Sequence, residues 1–437
     1  MKKLRIICSL ALWLAIASLA RASVLVETGT FTANTGGTTT TVSTGFQGKA
    51  AIFFTYSKTA EGESAGAAFS VGFSDGTNHR VVAWAGDDSV STTNVGHYTS
   101  GTGAGAVLTN GTPTLGTGGI ISGVAFNATP NMVVTFNATP ASAWKWSYIL
   151  FGGDDITNVK VGSFTASTST GNQSTTGLGF QPDAIFFITG RQTSAGSAGS
   201  FYETTGFATK PSGVEQWVVS SRGVDAQSAN YYVKSVVRSD ACLTAMNSTG
   251  DSAEFIADFT QFTSDGFDLN YSDAAASAWN IYYLAVKGGH WNAGAPTKPA
   301  TATTQSVTGL AYAPKLLGLL ISSATALNTY TSNAVNTVGA GTSSSSRFYV
   351  GGYHNNVFNT VAYSGGSSSL ISHEMQATAN ADLTSLGSDG SWTITWDAAG
   401  TAYYTPWFTV GDTAAGGGAG GVTLTGGVTL SGSVTVQ

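Results

Sequence analysis

Charge is scarce in this chain of 437 residues: Asp, Glu, Lys and Arg together make up 10% of it, against roughly a quarter in ordinary soluble domains. Cysteine is scarcer still. Of the two present, Cys8 falls in the N-terminal leader, so Cys242 is left alone and no intrachain disulfide can form. After the leader no stretch approaches the ~20 consecutive apolar residues that a membrane-spanning helix requires. No i, i+3, i+4 apolar stripe is found either, and with 56 glycines the chain is poorly suited to helix interiors. These gaps exclude a disulfide scaffold, a helical bundle and a helical membrane protein. Gly, Ser and Thr fill much of the chain, with Val, Ile, Phe, Tyr and Trp in short runs, which is the profile of short strands and many turns. The fold is therefore expected to be all-β.

The leader itself carries Lys2, Lys3 and Arg5 ahead of the apolar run from Ile6 to Leu19, and Ala20-Arg21-Ala22 offers the small-x-small pattern of a signal-peptidase site. Residues 1–22 are expected to be a cleaved export signal, with a secreted or surface-held product. Removing the leader's four basic residues leaves 14 basic against 24 acidic side chains, a balance of −10. That charge argues against a nucleic-acid groove or an anionic-membrane patch.

Internal repetition is the strongest signal. GTFTANTGGTTTTVSTGFQGKAAIFFTY from Gly29 aligns with GSFTASTSTGNQSTTGLGFQPDAIFFITG from Gly162, which places Phe46 and Phe180 134 positions apart. A more diverged copy opens at Thr301, where Pro314 matches Pro182. The closing segments match as well: SDGFDLNYSDAAASAWNIYYLAVKGG from Ser264 is echoed by SDGSWTITWDAAGTAYYTPWFTVGD from Ser388, and the first copy ends ATPASAWKWSYILFGG. Three tandem antiparallel β-sandwich domains of jelly-roll type are expected over residues 23–153, 154–289 and 290–412, each with its own core, followed by a Gly-rich tail over 413–437.

Within each copy the continuous apolar runs Ala50 to Tyr56, Ala184 to Ile188 and Leu316 to Ile321 suit central strands covered on both faces. Later segments alternate: Phe267, Leu269 and Tyr271 share one face, as do Trp392, Ile394 and Trp396, so each is a half-buried strand with one wet face. Phe180, Phe186, Phe267, Leu269 and Tyr283 are expected to meet in the middle copy's core. Asp265-Gly266 and Asp389-Gly390 precede these strands, where a tight turn favours a residue tolerant of positive φ.

The tail repeats every six residues. Val422, Val428 and Val434 mark the period, and Leu424, Leu430 and Val436 stand two positions on, so each short unit has an apolar face that it cannot bury alone. It is expected to pair with a protein partner, either sister chains or an exposed sheet edge.

The G-x-F-T opening, the GFQP turn into AIFF and the closing SDGF strand that ends in YYLAVKGG resemble uncharacterised tandem-repeat modules of tailed-phage virion proteins and related surface proteins. The likeness spans about Gly29 to Asp412. It is clearest in the second copy; the first has Gly48 where the second has Pro182, and the third has Ala311-Tyr312 in place of Gly-Phe. The closing pattern is also loosely similar to the H-type lectin sandwich. The first resemblance implies a structural or adhesive role on a virion or cell surface and brings no catalytic residues.

Enzyme chemistry finds little support. Gly62-Glu63-Ser64-Ala65-Gly66 fits G-x-S-x-G, but that nucleophile elbow needs a strand-to-helix turn, and the residues after Gly66 read as another strand. His79, His97, His290, His354 and His373 show no metal-ligand spacing. Asp87-Asp88 would point to opposite faces of a strand, Asp265, Asp268 and Asn270 lack a calcium-loop pattern, and Gly101 to Gly105 lacks a βαβ setting. No catalytic residue, metal or cofactor is implied. A non-enzymatic architectural or adhesive protein with an assembly tail ranks first. A glycan-binding protein using Trp84 and Trp217, in VVAWAG and EQWVVSS, ranks second if those rings are exposed, and a polysaccharide-cleaving enzyme third.

Overall fold

A computed structural model describes residues 23–209, 215–228, 233–355, 361–371, 380–397, 399–413 and 423–425; the export leader lies outside them. The described residues contain strands and turns and no helix. The first module holds β1 (Leu25–Thr32), β2 (Thr39–Ser43), β3 (Gly48–Thr55), β4 (Gly62–Ala65), β5 (Ala67–Ser74), β6 (His79–Gly86), β7 (Val95–Ser100), β8 (Gly105–Leu108), β9 (Leu115–Asn127), β10 (Asn131–Phe136) and β11 (Lys145–Gly152). The second holds β12 (Asn158–Thr165), β13 (Gly171–Thr175), β14 (Ala184–Thr189), β15 (Gly196–Gly199), β16 (Phe201–Thr209), β17 (Glu215–Gly223), β18 (Lys234–Arg238), β19 (Leu243–Met246), β20 (Ala253–Thr263), β21 (Gly266–Asp273) and β22 (Asn280–Lys287). The third holds β23 (His290–Gly294), β24 (Thr304–Thr308), β25 (Tyr312–Ile321), β26 (Thr331–Ser332), β27 (Ala334–Gly341), β28 (Arg347–His354), β29 (Val361–Gly366), β30 (Ala381–Gly387), β31 (Ser391–Trp396) and β32 (Trp407–Thr413), and β33 (Thr423–Thr425) lies in the tail.

Each module packs a seven-stranded antiparallel sheet against a four-stranded one, the two-layer solution that buries one face of each sheet. The modules are not independent. The first sheet runs β1-β11-β3-β5-β6-β7-β15, so its last strand comes from the second module. The second module's sheet ends in β26 of the third, and the third's ends in β4 of the first. The exchange closes on itself: every module gives one short strand and receives one. The residue after each lent strand adopts a left-handed backbone, Gly66 at φ 49°, Ser200 at φ 63° and Asn333 at φ 73°. That corner turns the chain from its neighbour's sheet back into its own, a conformation costly for residues with a Cβ and held here by pairing on both sides.

The apolar runs take their meaning from this arrangement. Along β3, Ala51 and Phe53 face the first module's outer sheet, whereas Ile52 and Phe54 face a core shared by all three modules. The same split recurs in β14, where Ile185 and Phe187 face outward and Ala184, Phe186 and Ile188 inward, and in β25, where Leu317 and Leu319 oppose Leu316 and Leu320. Separate cores therefore exist under each outer sheet, but the expectation of fully separate cores is corrected by the shared one. Phe180, Phe267, Leu269 and Tyr283 do meet in the middle module, while Phe186 belongs to the shared core on the opposite face of its strand.

One glycine position recurs in each module for a steric reason. A Cβ on Gly72, Gly206 or Gly339 would lie 2.2, 1.9 or 1.7 Å from the carbonyl oxygen of Ala104, Cys242 or Leu370, so only glycine lets the inner strand approach the segment that crosses it. Gly390 has the expected positive φ of 80°. Gly266 does not need one; its Cβ would meet the Thr175 carbonyl oxygen at 1.9 Å, so close approach explains it.

Candidate functional site

The shared core has a polar centre. Three residues before Gly72, Gly206 and Gly339 stand Phe69, Glu203 and Asn336, one from each module at equivalent positions on β5, β16 and β27. The Glu203 carboxylate accepts from Nε1 of Trp84 in the first module and, at 2.7 Å, from Nδ2 of Asn336 in the third. Ser221 Oγ donates in turn to Asn336 Oδ1 at 2.6 Å. One carboxyl group thus ties all three modules together. Burial pushes Glu203 up to about 8 against the opposing pull of its two hydrogen bonds, so it carries a proton at neutral pH. A small cavity beside it is lined by Glu203, Thr205, Val219, Leu320, Asn336, Thr337 and Val338.

A buried neutral acid can act in proton transfer only where substrate reaches it. Glu203, Asn336, Trp84 and Ser221 are all buried, and the partners of Glu203 are themselves part of the packing. Their arrangement suits cohesion rather than turnover. His354 lies alongside, its ring 5.9 Å from Trp84 and 5.4 Å from Phe201, with neither nitrogen hydrogen-bonded. Burial holds it down at about 3, hence neutral. Among the described residues no group of three or more His, Cys, Asp or Glu could hold a metal ion.

The tryptophans expected as a glycan platform are placed differently from what that role needs. Trp84 and Trp217 are each 1% exposed. Trp84 stacks on Phe201 of the second module with centroids 4.4 Å apart, and Trp217 donates Nε1 to the Trp407 carbonyl of the third at 3.1 Å. They cement module contacts and present no face to a sugar. Nor are they equivalent: Trp84 stands opposite Phe69 on β5, whereas Trp217 stands opposite Phe207, four residues beyond Glu203.

The remaining motifs resolve into structure. Ser64 lies on β4, the strand lent to the third module, where it pairs with Tyr363. Asp87 accepts from Asn94 and from the Gly111 amide, and Asp265 from the amides of Gly177 and Gly179. The carbonyl of Gly101 accepts from Arg80. In the tail, Leu424 falls in β33, which adds to the edge of β24 with Leu424 opposite Val307. Val422, Val428, Leu430, Val434 and Val436 lie outside the described residues, as does His373.

Sequence reasoning does not single out Glu203, although a lone Glu inside FYETTGFAT, the counterpart of the apolar AAFSVGFS, is a readable departure. No family model matches the chain, and no curated protein matches it. A solved structure, mouse laminin alpha1 chain domains LG4-5, aligns at 7% identity over 59% of this chain and 89% of that one, with a TM-score of 0.11; a likeness at that level carries no argument.

Proposed function

We propose that the protein is an extracellular, non-enzymatic architectural or adhesive protein, carried on a virion or cell surface, in which the three-module ring is the rigid body and the C-terminal hexad tail joins it to a partner. The closed exchange of strands supports this most: it converts three small sandwiches into one body whose edges are joined to neighbours, as suits a load-bearing spacer. The tail's mode of attachment is supported by β33, where one hexad unit already docks by strand addition on β24. The corresponding first strands of the other outer sheets, β2 and β13, have one strand neighbour each among the described residues. Two further units with the same spacing lie beyond β33 in the sequence. Deleting residues 416–437 should leave the melting temperature of the ring within a few degrees and abolish self-association or surface retention. Equal mass by light scattering and equal retention for the intact and shortened chains would overturn the assembly role. Glycan binding through Trp84 and Trp217 has no exposed ring to rest on, since both are buried.

A further inference from the structure

The middle module differs from its siblings at one end of its sandwich. On β17, Arg222 stands directly opposite Lys234 on β18 and Tyr202 on β16. The equivalent places in the first module, by the registers of β5, β6 and β7, are Ala85, Gly96 and Ala68, part of a small apolar cluster. In the third module Tyr353 and Ala362 take the places of Arg222 and Lys234, and both are buried. The fold is therefore built twice without charge at this position, and the cations of the middle module answer to something other than folding.

Those cations are poorly balanced. Like charges directly opposite on neighbouring strands repel, and Arg222 is 1% exposed with Nε and Nη1 meeting no acceptor. Arg191 lies close by, its guanidinium 4.5 Å from the Tyr202 ring centroid, with Arg222 at 5.6 Å from the same ring. Of the carboxylates near the cluster, Glu254 is engaged by Arg191 at 2.7 Å and by Trp279 Nε1 at 3.2 Å. Asp251 reaches only Lys234, at 3.6 Å, and its side chain is 68% exposed. Across the junction, His97 of the first module sets its ring edge against Tyr202 and leaves Nε2 without a partner. A buried guanidinium with two free donors and a lysine beside it is costly unless an anion completes it.

We infer that Arg222, Lys234 and the Tyr202 ring form an oxyanion-binding site that takes a sulfate or carboxylate group, as acidic saccharides carry. Planar donors Nε and Nη1 of Arg222 suit two oxygens of one such group, and Lys234 supplies a second positive charge. The way in runs past Lys234, whose side chain is 20% exposed, beside the turn that carries Gly250. This site is separate from the tail and stands or falls without it.

The test titrates sodium sulfate into the full chain at constant ionic strength against sodium chloride, following the melting temperature. A saturable rise of several degrees is expected with the natural protein, and at least a tenfold weaker midpoint with Arg222→Gln. Because Ala85 occupies the equivalent place in the first module, Arg222→Ala serves as a second variant compatible with the fold. Repeating the titration with a sulfated disaccharide and with a uronic acid separates the sources: tenfold tighter binding of either sugar assigns the site to a saccharide, and equal binding assigns it to the free ion. No saturable effect of any oxyanion on the natural protein, or the same effect in Arg222→Gln, overturns the site.

Discussion

The indole Nε1 of Trp84 donates a hydrogen bond to the carboxyl group of Glu203, a residue 119 positions away in another module. Both lie in the core shared by the three inner sheets, so the bond crosses a module boundary that the sequence repeat marks as a domain boundary.

Because burial raises Glu203 from 4.5 to about 8, its contribution to stability is fully present below about pH 4.5 and is lost as pH rises through about 8. Denaturant unfolding should show the chain losing on the order of a few kcal/mol between pH 5 and pH 9. In Glu203→Gln, which keeps acceptor and shape, that slope should flatten. A slope unchanged by the substitution would show that Glu203 does not set it.

Trp84→Ala deletes a buried ring stacked on Phe201 and takes a donor from Glu203. The expected loss is about 3–5 kcal/mol. Trp217→Ala should cost a similar amount, and a loss below about 1 kcal/mol for either, by chemical denaturation, would show that the ring is not part of the core.

Gly206→Ala would press a Cβ to 1.9 Å from the Cys242 carbonyl oxygen, with backbone on both sides of the clash. Destabilisation by about 1–3 kcal/mol or more is expected, as for other overpacked sites. Gly72→Ala and Gly339→Ala should behave alike, whereas Gly101→Ala, where a Cβ meets nothing within 4 Å, should be close to neutral.

Cys242 is fully buried, and that burial raises its thiol well above the ordinary value. A thiol reagent should leave it unmodified in the native chain and label it only on unfolding. Labelling at the rate of a free thiol under native conditions would contradict its place beneath β20.

Period and composition make the sheets, the threefold repetition and the half-buried outer strands such as Gly266–Asp273 legible, because alternation and turn residues are local properties. Which sheet faces which is not local, and there the sequence is silent. AIFF reads as buried on both sides, but nothing in Ile52 or Phe186 says that the second side is another module. The lent strands GESA, GSAG and TS are too short and polar to read as strands at all. Trp84 and Trp217 in alternating segments fit a core as well as a platform, and only the packing decides between them. The Arg222 cluster escapes a sequence reading because its signal is a difference between copies at matched register, visible once strands are paired.

The most direct test of the ring is calorimetric unfolding of the full chain beside the fragment 154–289. If strands are lent around a closed ring, the full chain unfolds in one cooperative transition. The isolated middle module, deprived of β26 and exposing Phe186, Phe207, Trp217 and Leu284, fails to persist as a folded monomer. Three separable transitions, or a stable monomeric fragment 154–289 melting where the full chain does, would contradict the account.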